Sequence, residues 1–454
     1  MTNAAASSGS HAGDQQPQPR PPLLFLCHRI PYPPNKGDKI RAFHLLHHLS
    51  KHFDIYLASF VDDPEDWPWA PELEKLCREV YLRPLVSWRA TLRSLRGLLT
   101  GQALSVPYYA DKPLQRWVEQ AVAEHGIRHA IVYSSAMAQF LPRGGEQLTR
   151  KVIDFVDVDS DKWQQYAAQK RPPMSWVYRR EARCLLQLEQ VLAQQFDAGL
   201  FVSSAEAELF HQLSPATAHK IGFYNNGVNC DYFDPACDAA PEAGQPIASP
   251  FPENSLPLVF TGAMDYWPNI DAVTWFAREV LPALRASHPN VLLAIVGGNP
   301  PRAVQQLANM EGVLVTGRVP DVRPYLRHAF AVVAPMRVAR GVQNKVLEGM
   351  AMACPVLVSQ RGLEGIAARH GEHVLLAETV ADYQRQLDEL LAGAHTGLGE
   401  RARRCVQQGF NWDENLPEVV FLLGEDNAVP YYAKTHTAHH EDTGSHSDAT
   451  SNPG

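Results

Sequence analysis

The sequence lacks any apolar run that approaches the roughly 18 residues needed to span a membrane. Its first twenty residues are rich in Ala, Ser, Gln and Pro instead of resembling a secretory signal, so we expect residues 1–20 to be disordered. The formal net charge is −8, which argues against a general role in binding nucleic acid. These absences predict a soluble or peripheral protein, which we expect to be cytoplasmic.

Cysteine is also scarce. The seven cysteines include no CxxC pair, which argues for reduced thiols and against a zinc site. A polar tail at 425–454 is predicted to be disordered, and the histidines within it indicate no more than incidental zinc affinity: His436, His439, His440 and His446. We therefore expect no bound metal.

What the chain does have is enough apolar sequence for two cores, since 45% of its 454 residues are hydrophobic. Predicted strands and helices alternate throughout, which is typical of α/β domains built on parallel sheets. A Pro/Ala/Gly-rich linker is predicted at 229–256, between a first domain at 21–228 and a second at 257–409. A last helix is predicted at 410–424.

The most informative pattern is a strand, a charged Gly loop, a helix and a second strand between residues 330 and 358. The loop carries Arg340 and Gly341, and the helix N-terminus that follows it can hold an anion. Lys345 and Glu348 are three residues apart and share one helix face. A cation beside the helix dipole suits a diphosphate, and a carboxylate one turn deeper suits ribose hydroxyls. An ordinary amphipathic helix with a surface Lys–Glu pair would give the same spacing.

A second Gly loop follows the predicted strand Leu23–His28. Gly37 allows a tight turn there, and three basic residues make the loop unusually cationic: Lys36, Lys39 and Arg41. A strand–helix turn with solvated lysines is the alternative interpretation.

Four acidic residues crowd the end of a predicted strand at Val152–Val156: Asp154, Asp157, Asp159 and Asp161. The carboxyl ends of parallel strands are where α/β folds place their sites. So many carboxylates are unfavourable together unless a ligand, a cation or hydrogen bonds compensate them, which hints at function. Simple capping of the following helix would also explain them.

The motif RGVQNKVLEGMAM at Arg340–Met352 resembles the nucleotide-sugar site of retaining GT-B glycosyltransferases of family four. In that family the residue matching Glu348 binds the ribose, and the residue matching Lys345 binds the diphosphate. The resemblance implies a GT-B architecture, with two Rossmann-like parallel-sheet domains that face each other across a cleft. It also implies that the loop around Gly37 approaches the diphosphate and the acceptor from the other side.

Four motifs in order resemble the bacterial sugar transferase subgroup associated with exosortase and PEP-CTERM exopolysaccharide loci: HRIPYPPNKGDKIR, DFVDVDSDKW, FTGAMDYWPNIDA and RGVQNKVLEGMAM. The stretch GRVPDVRPYL resembles the family's turn beside the nucleotide base, which implicates Gly317 and Arg318. Three features depart from family four. Arg340 stands where an acid is usual, Ala353 replaces a Gly, and no Arg-x4-Lys donor pair follows Gly262.

The resemblance implies transfer of a sugar, with retention, from a nucleotide-sugar donor to a glycan or lipid-linked acceptor. The expected catalytic residues are Lys345, Arg340, Asp157 and Asp159, with Arg337 next. The expected donor-binding residues are Glu348, Lys345, Gly341, Gly262, Gly317, Arg318 and Gly37. No cofactor is expected, and no metal is needed where Lys and Arg supply the charge. A sugar-nucleotide epimerase, a phosphorylase and a non-catalytic glycan-binding relative remain alternatives.

One segment of the first domain suggests a partner. Trp88–Leu99 combines leucines with arginines at helical spacing, a pattern of helices that lie on anionic membranes: Arg89, Leu92, Arg93, Leu95 and Arg96. We expect weak peripheral contact with such a membrane. A surface helix packed on its own domain would show the same pattern.

Overall fold

The computed structural model describes residues 20–34, 36–142, 147–236, 248–339 and 341–424. The predicted disordered ends, apart from Arg20, lie outside the described residues, and so do the histidines of the tail. Arg340 lies outside them as well.

The first domain is built on a parallel sheet whose central strands are apolar runs buried on both faces, as parallel sheets require. The strands are β1 Pro22–Cys27, β2 Asp54–Val61, β3 Glu79–Pro84, β4 His129–Tyr133, β5 Arg150–Val156, β6 Ala198–Phe201 and β7 Ile221–Phe223. Their order is β3-β2-β1-β4-β5-β6-β7. The order reverses between β1 and β4, so a crevice opens at the carboxyl ends of these two strands.

Helices cover both faces of this sheet. They are α1 Gly37–Leu49, α2 Ala70–Glu74, α3 Ser87–Ser94, α4 Arg96–Thr100, α5 Ser105–Tyr109, α6 Lys112–Glu124, α7 Asp159–Gln169, α8 Met174–Gln195 and α9 Ser204–Leu213. Side chains cap two of them, since Asp111 accepts from the backbone N–H of Leu114 in α6 and Ser203 accepts from that of Glu206 in α9. The single helix expected at Trp88–Leu99 is instead two short helices, α3 and α4, with Leu95 between them.

The second domain has its own parallel sheet. Its strands are β8 Leu256–Thr261, β9 Val291–Val296, β10 Val313–Gly317, β11 Ala331–Ala334, β12 Val356–Val358 and β13 Leu375–Leu376. They are ordered β10-β9-β8-β11-β12-β13, with the reversal between β8 and β11. The expected strand at His373–Glu378 shrinks to the two residues of β13. The α/β prediction of two parallel-sheet domains is confirmed.

The helices of the second half are α10 Trp267–Trp275, α11 Leu281–Ser287, α12 Arg302–Gln305, α13 Arg323–Arg327, α14 Asn344–Ala351, α15 Val380–Leu391, α16 Leu398–Gly409, α17 Trp412–Asn415 and α18 Pro417–Leu423. A π-helical turn, Phe276–Val280, joins α10 to α11. The single helix expected at Phe410–Leu423 is divided into α17 and α18, because a proline begins the second one.

The last two helices pack on the first domain, after the chain has left the second. Trp412 and Leu416 belong to the same buried cluster as Leu23 and Phe25 of β1. The Trp412 ring stacks on His44 of α1, with centroids 4.7 Å apart. The chain therefore crosses between the domains twice, once after β7 and once before α17.

Candidate functional site

The centre of the site is the β11–α14–β12 unit of the second domain. Gly349, in the middle of α14, lets this helix lie close on the sheet, since a Cβ there would sit 3.0 Å from Val332. Gly341 has φ +67, a left-handed conformation that favours glycine, in the loop that leads into the helix. The close packing sets the depth at which the first turns of α14 present their side chains.

Lys345, in the first turn of α14, is only 8% exposed. Its Nζ atom donates a hydrogen bond to Gln343 Oε1 at 3.1 Å and lies 5.2 Å from the centre of the Phe260 ring. Burial lowers the pKa of Lys345 to about 8, against the opposing charge of Glu348. A buried, weakly satisfied ammonium is unfavourable for folding, which is typical of a group kept for a ligand.

Glu348 lies one turn deeper and is half-buried. Its Oε2 atom accepts a hydrogen bond from the Thr261 hydroxyl at 3.3 Å, at the end of β8. Burial raises the pKa of the Glu348 carboxyl, while Lys345 and Thr261 act in the opposite direction. The carboxylate thus has room to accept further hydrogen bonds.

The Gly262 turn closes the site beside Lys345. Gly262 has φ +149, and a Cβ there would lie 3.5 Å from Lys345 Cε. A Cβ at Gly297 would overlap the carbonyl oxygen of Gly262, so the carboxyl ends of β8 and β9 require glycine for their close approach. Asn269 fixes the turn by donating to the Ala263 carbonyl at 2.9 Å.

The first domain contributes Asp157 and Asp159, after β5. Lys162 Nζ lies 3.7 Å from a carboxylate oxygen of each. Across the cleft, a Cβ on Gly341 would lie 3.6 Å from Asp157 Oδ1. A Cβ on Gly37 would lie 3.9 Å from Asn344 Nδ2. The structure thus brings the two Gly loops and Asp157 to the N-terminus of α14.

Several polar residues of the first domain do not belong to this site. Lys39 is 2% exposed and pairs with Asp66 at 2.5 Å. Arg41 is 1% exposed and donates two hydrogen bonds to Asp154, at 2.9 and 3.2 Å, and one to the Tyr224 carbonyl. The expectation of a cationic loop was therefore wrong for Lys39 and Arg41, and that of a functional acid was wrong for Asp154. Buried charges need a partner, and these find it inside the domain.

Arg337 was expected to be a further hydrogen-bond donor to the diphosphate, but its guanidinium is already bonded to another residue. It donates to both carboxylate oxygens of Asp271 in α10, at 2.6 and 3.0 Å, and this pairing raises the pKa of Arg337. Arg318, which follows Gly317 at the end of β10, bonds to Glu65 of the first domain at 3.1 Å. It therefore spans the cleft.

Three residues of the site were given no role by sequence reasoning. Thr261 and Gln343 contact Glu348 and Lys345, and Lys162 lies between the two acids. The Asp159–Lys162 spacing of three residues at a helix start is the one local signal that could have drawn attention to Lys162. Among the residues that the structure describes, no three His, Cys, Asp or Glu side chains are grouped so that they could hold a metal ion.

Comparison with known proteins supports this architecture. Residues 256–393 match the family model of the glycosyl transferases group 1. The structure of a sucrose-phosphate synthase from Thermosynechococcus elongatus is similar, with a TM-score of 0.62 and 19% identity over 92% of this chain and 100% of that one. No curated protein sequence matches the chain.

Two further structures share the fold. Anabaena Alr3699/HepE in complex with UDP-glucose has a TM-score of 0.60 and 14% identity, over 88% of this chain and 99% of that one. WaaG, a glycosyltransferase involved in lipopolysaccharide biosynthesis, has a TM-score of 0.60 and 14% identity, over 89% and 100%. The GT-B fold expected from the sequence is thereby confirmed.

Proposed function

We propose that the protein is a retaining glycosyltransferase, which transfers a sugar from a nucleoside-diphosphate sugar to a glycan or a lipid-linked acceptor. The observation that carries the proposal is the buried Lys345 beside the half-buried Glu348 at the start of α14, within the segment that matches group 1 glycosyltransferases. The UDP-glucose complex of Alr3699/HepE supports a nucleotide sugar as the donor.

The donor would lie against α14. Glu348 would accept hydrogen bonds from the ribose hydroxyls, and Lys345 with the first backbone N–H groups of the helix would bind the diphosphate. Negative charge grows on the diphosphate as the anomeric bond breaks, so groups aimed there act mainly in the transition state. Arg340, which precedes the helix by four residues in the sequence, is a further candidate for this role.

The leaving phosphate can itself take the proton of the incoming hydroxyl on the same face of the sugar. Retention then requires no protein nucleophile, and with Lys and Arg supplying the charge no metal or cofactor is required. Asp157 and Asp159 would orient the acceptor or the transferred sugar, where the first domain meets Gly341. Closure of the cleft would exclude water and limit hydrolysis.

A screen of nucleotide sugars by calorimetry, followed by transfer assays with lipid-linked acceptors, tests the proposal. NMR of the product would show whether the anomeric configuration is retained, and activity should survive a metal chelator. Release of a free epimerised sugar without an acceptor would indicate an epimerase instead. If no nucleotide sugar binds, the protein is a non-catalytic relative.

The motifs of the subgroup associated with PEP-CTERM and exosortase loci support a role in exopolysaccharide synthesis at the cytoplasmic face of the membrane. No helix in the described ranges is long and apolar enough to cross a membrane. The surface of α3 and α4 exposes large apolar side chains, with Trp88 62%, Leu92 59% and Leu99 91% exposed. We propose that this surface makes weak contact with anionic lipid.

Arginines beside this apolar surface supply the charge. Arg89 and Arg96 are exposed, whereas Arg93 donates to the Tyr108 carbonyl at 2.7 Å and is tied to its own domain. A basic group near an anionic surface contributes about 1 kcal/mol, so the contact should be salt-sensitive. Replacing Arg89 and Arg96 by glutamate should abolish sedimentation with anionic liposomes and leave donor binding intact. A double variant that still sediments would contradict this location.

A further inference from the structure

Among the residues that the structure describes, the second domain offers few cations to a diphosphate. The turn that begins at Gly262 contains no Lys, Arg or His through Ile270. Arg337 is held by two hydrogen bonds to Asp271, and Arg318 is bonded to Glu65. A diphosphate bound at α14 is therefore left with Lys345, the helix N-terminus and the residues just before it, which is little positive charge for a group whose outer phosphate gains a second negative charge as it leaves.

Lys162, in the first turn of α7, is an unusual ion-pair partner. Its Nζ atom lies 3.7 Å from both Asp157 and Asp159, too far for a hydrogen bond. Within the described part of the chain, no oxygen accepts a hydrogen bond from its ammonium. The side chain is nevertheless largely enclosed, with 31% exposed. An ammonium with three unused N–H donors is suited to a ligand rich in acceptor oxygens.

Lys162 lies beside the cleft between the two domains. Its neighbour Asp157 faces Gly341, three residues before the first residue of α14. From the other wall, Tyr266 lies at the start of α10, four residues beyond Gly262. Burial raises the pKa of the Tyr266 hydroxyl, and the charge of Lys162 opposes this increase.

We propose that Lys162 is a diphosphate-binding residue of the first domain, which supplies the positive charge that the Gly262 turn lacks. The inference rests on the proposed function, because it requires a nucleoside-diphosphate donor at α14. When the donor binds, the ammonium exchanges its long contacts with Asp157 and Asp159 for a phosphate oxygen. The Asp157 carboxylate, no longer in contact with this ammonium, can then accept a hydrogen bond from a sugar hydroxyl, so donor binding prepares the acceptor side.

The test compares nucleoside diphosphates with the matching monophosphates, using UDP and UMP, GDP and GMP, and ADP and AMP as probes in calorimetry. In Lys162→Met the preference of the protein for its diphosphate over the monophosphate should fall by roughly tenfold, since one charge-assisted contact to the outer phosphate is lost. Lys162→Arg should restore most of it. Turnover should fall more than the donor KM rises, because charge on the diphosphate peaks in the transition state.

Lys75→Met is the matched control. Lys75 pairs with Glu72 at the same spacing of three residues, but it lies before β3, at the amino-terminal edge of the sheet. It should change neither the preference nor turnover. An unaltered preference in Lys162→Met would overturn the inference, as would a loss confined to the acceptor KM, which would place Lys162 on the acceptor. Absence of diphosphate binding in the wild type would refute the proposed function itself.

Discussion

Replacing Lys345 by methionine should make the protein more stable while it loses its donor. Burial lowers the pKa of Lys345 from 10.5 to about 8, and a difference of one in pKa corresponds to about 1.4 kcal/mol between the two protonation states. The lowered pKa therefore corresponds to about 3 kcal/mol of lost stability at neutral pH. Part of the gain is offset because Glu348 loses its neighbouring cation, so we expect Lys345→Met to gain about 1–3 kcal/mol.

The effect of the buried lysine on stability depends on pH. The folded pKa lies below the unfolded one, so the unfolded chain binds more protons between about pH 8 and pH 10.5. The free energy of unfolding of the wild type should rise with pH across this window. Below about pH 8 the full cost of burying the charged Lys345 should be present. The advantage of Lys345→Met should accordingly be largest at pH 7 and shrink towards pH 10.5.

Urea unfolding followed by circular dichroism at pH 7 and at pH 10 measures the difference, and calorimetry measures donor binding. For a domain of about 200 residues, a gain of this size raises the melting temperature by roughly 2–4 °C per kcal/mol. Lys75→Met, at an exposed lysine, should leave stability unchanged. If Lys345→Met is less stable than the wild type at pH 7, the buried ammonium stabilises the fold, which would contradict the prediction that it lowers stability.

Three further outcomes are expected. Glu348→Ala should weaken nucleotide-sugar binding by about 1–3 kcal/mol with little change in folding, because a charge-assisted hydrogen bond to the ribose is lost; equal affinity by calorimetry would remove Glu348 from the site. Arg318→Ala should lower the free energy of unfolding by no more than about 1 kcal/mol, because its ion pair with Glu65 is exposed to solvent; a larger loss in urea unfolding would contradict this. Burial, with a smaller effect of the charge on His47, lowers the pKa of His44 to about 4, so the wild type should lose stability as the pH falls from about 6.5 towards 4. In urea unfolding, His44→Phe should lose less stability than the wild type over this range. Parallel stability curves for the two proteins would refute this expectation.

Local sequence patterns determined the fold class. Apolar runs such as Leu23–Cys27 and Val291–Val296 are buried strands, since only a sheet covered on both faces buries such runs completely. Their alternation with amphipathic helices predicts parallel sheets, and the spacing of Lys345 and Glu348 predicts one shared helix face. These inferences depend on neighbours a few residues apart, so the sequence alone is sufficient for them. Their roles in catalysis stay predictions.

Only the tertiary structure decided which charged residues face the cleft. Arg41 looked like a loop cation, but its partner Asp154 lies 113 residues further along the chain, and Arg337 is bonded to Asp271, 66 residues before it. Lys162, conversely, lies in the first turn of α7 beside the acidic residues of its own domain, and only folding brings it to the cleft. The energy of a charge depends on the desolvation and the partners that surround it in three dimensions. A local sequence pattern determines neither the desolvation of a charge nor its partners. It could therefore predict the strands and helices, but not which charged side chains form ion pairs inside a domain and which face the site.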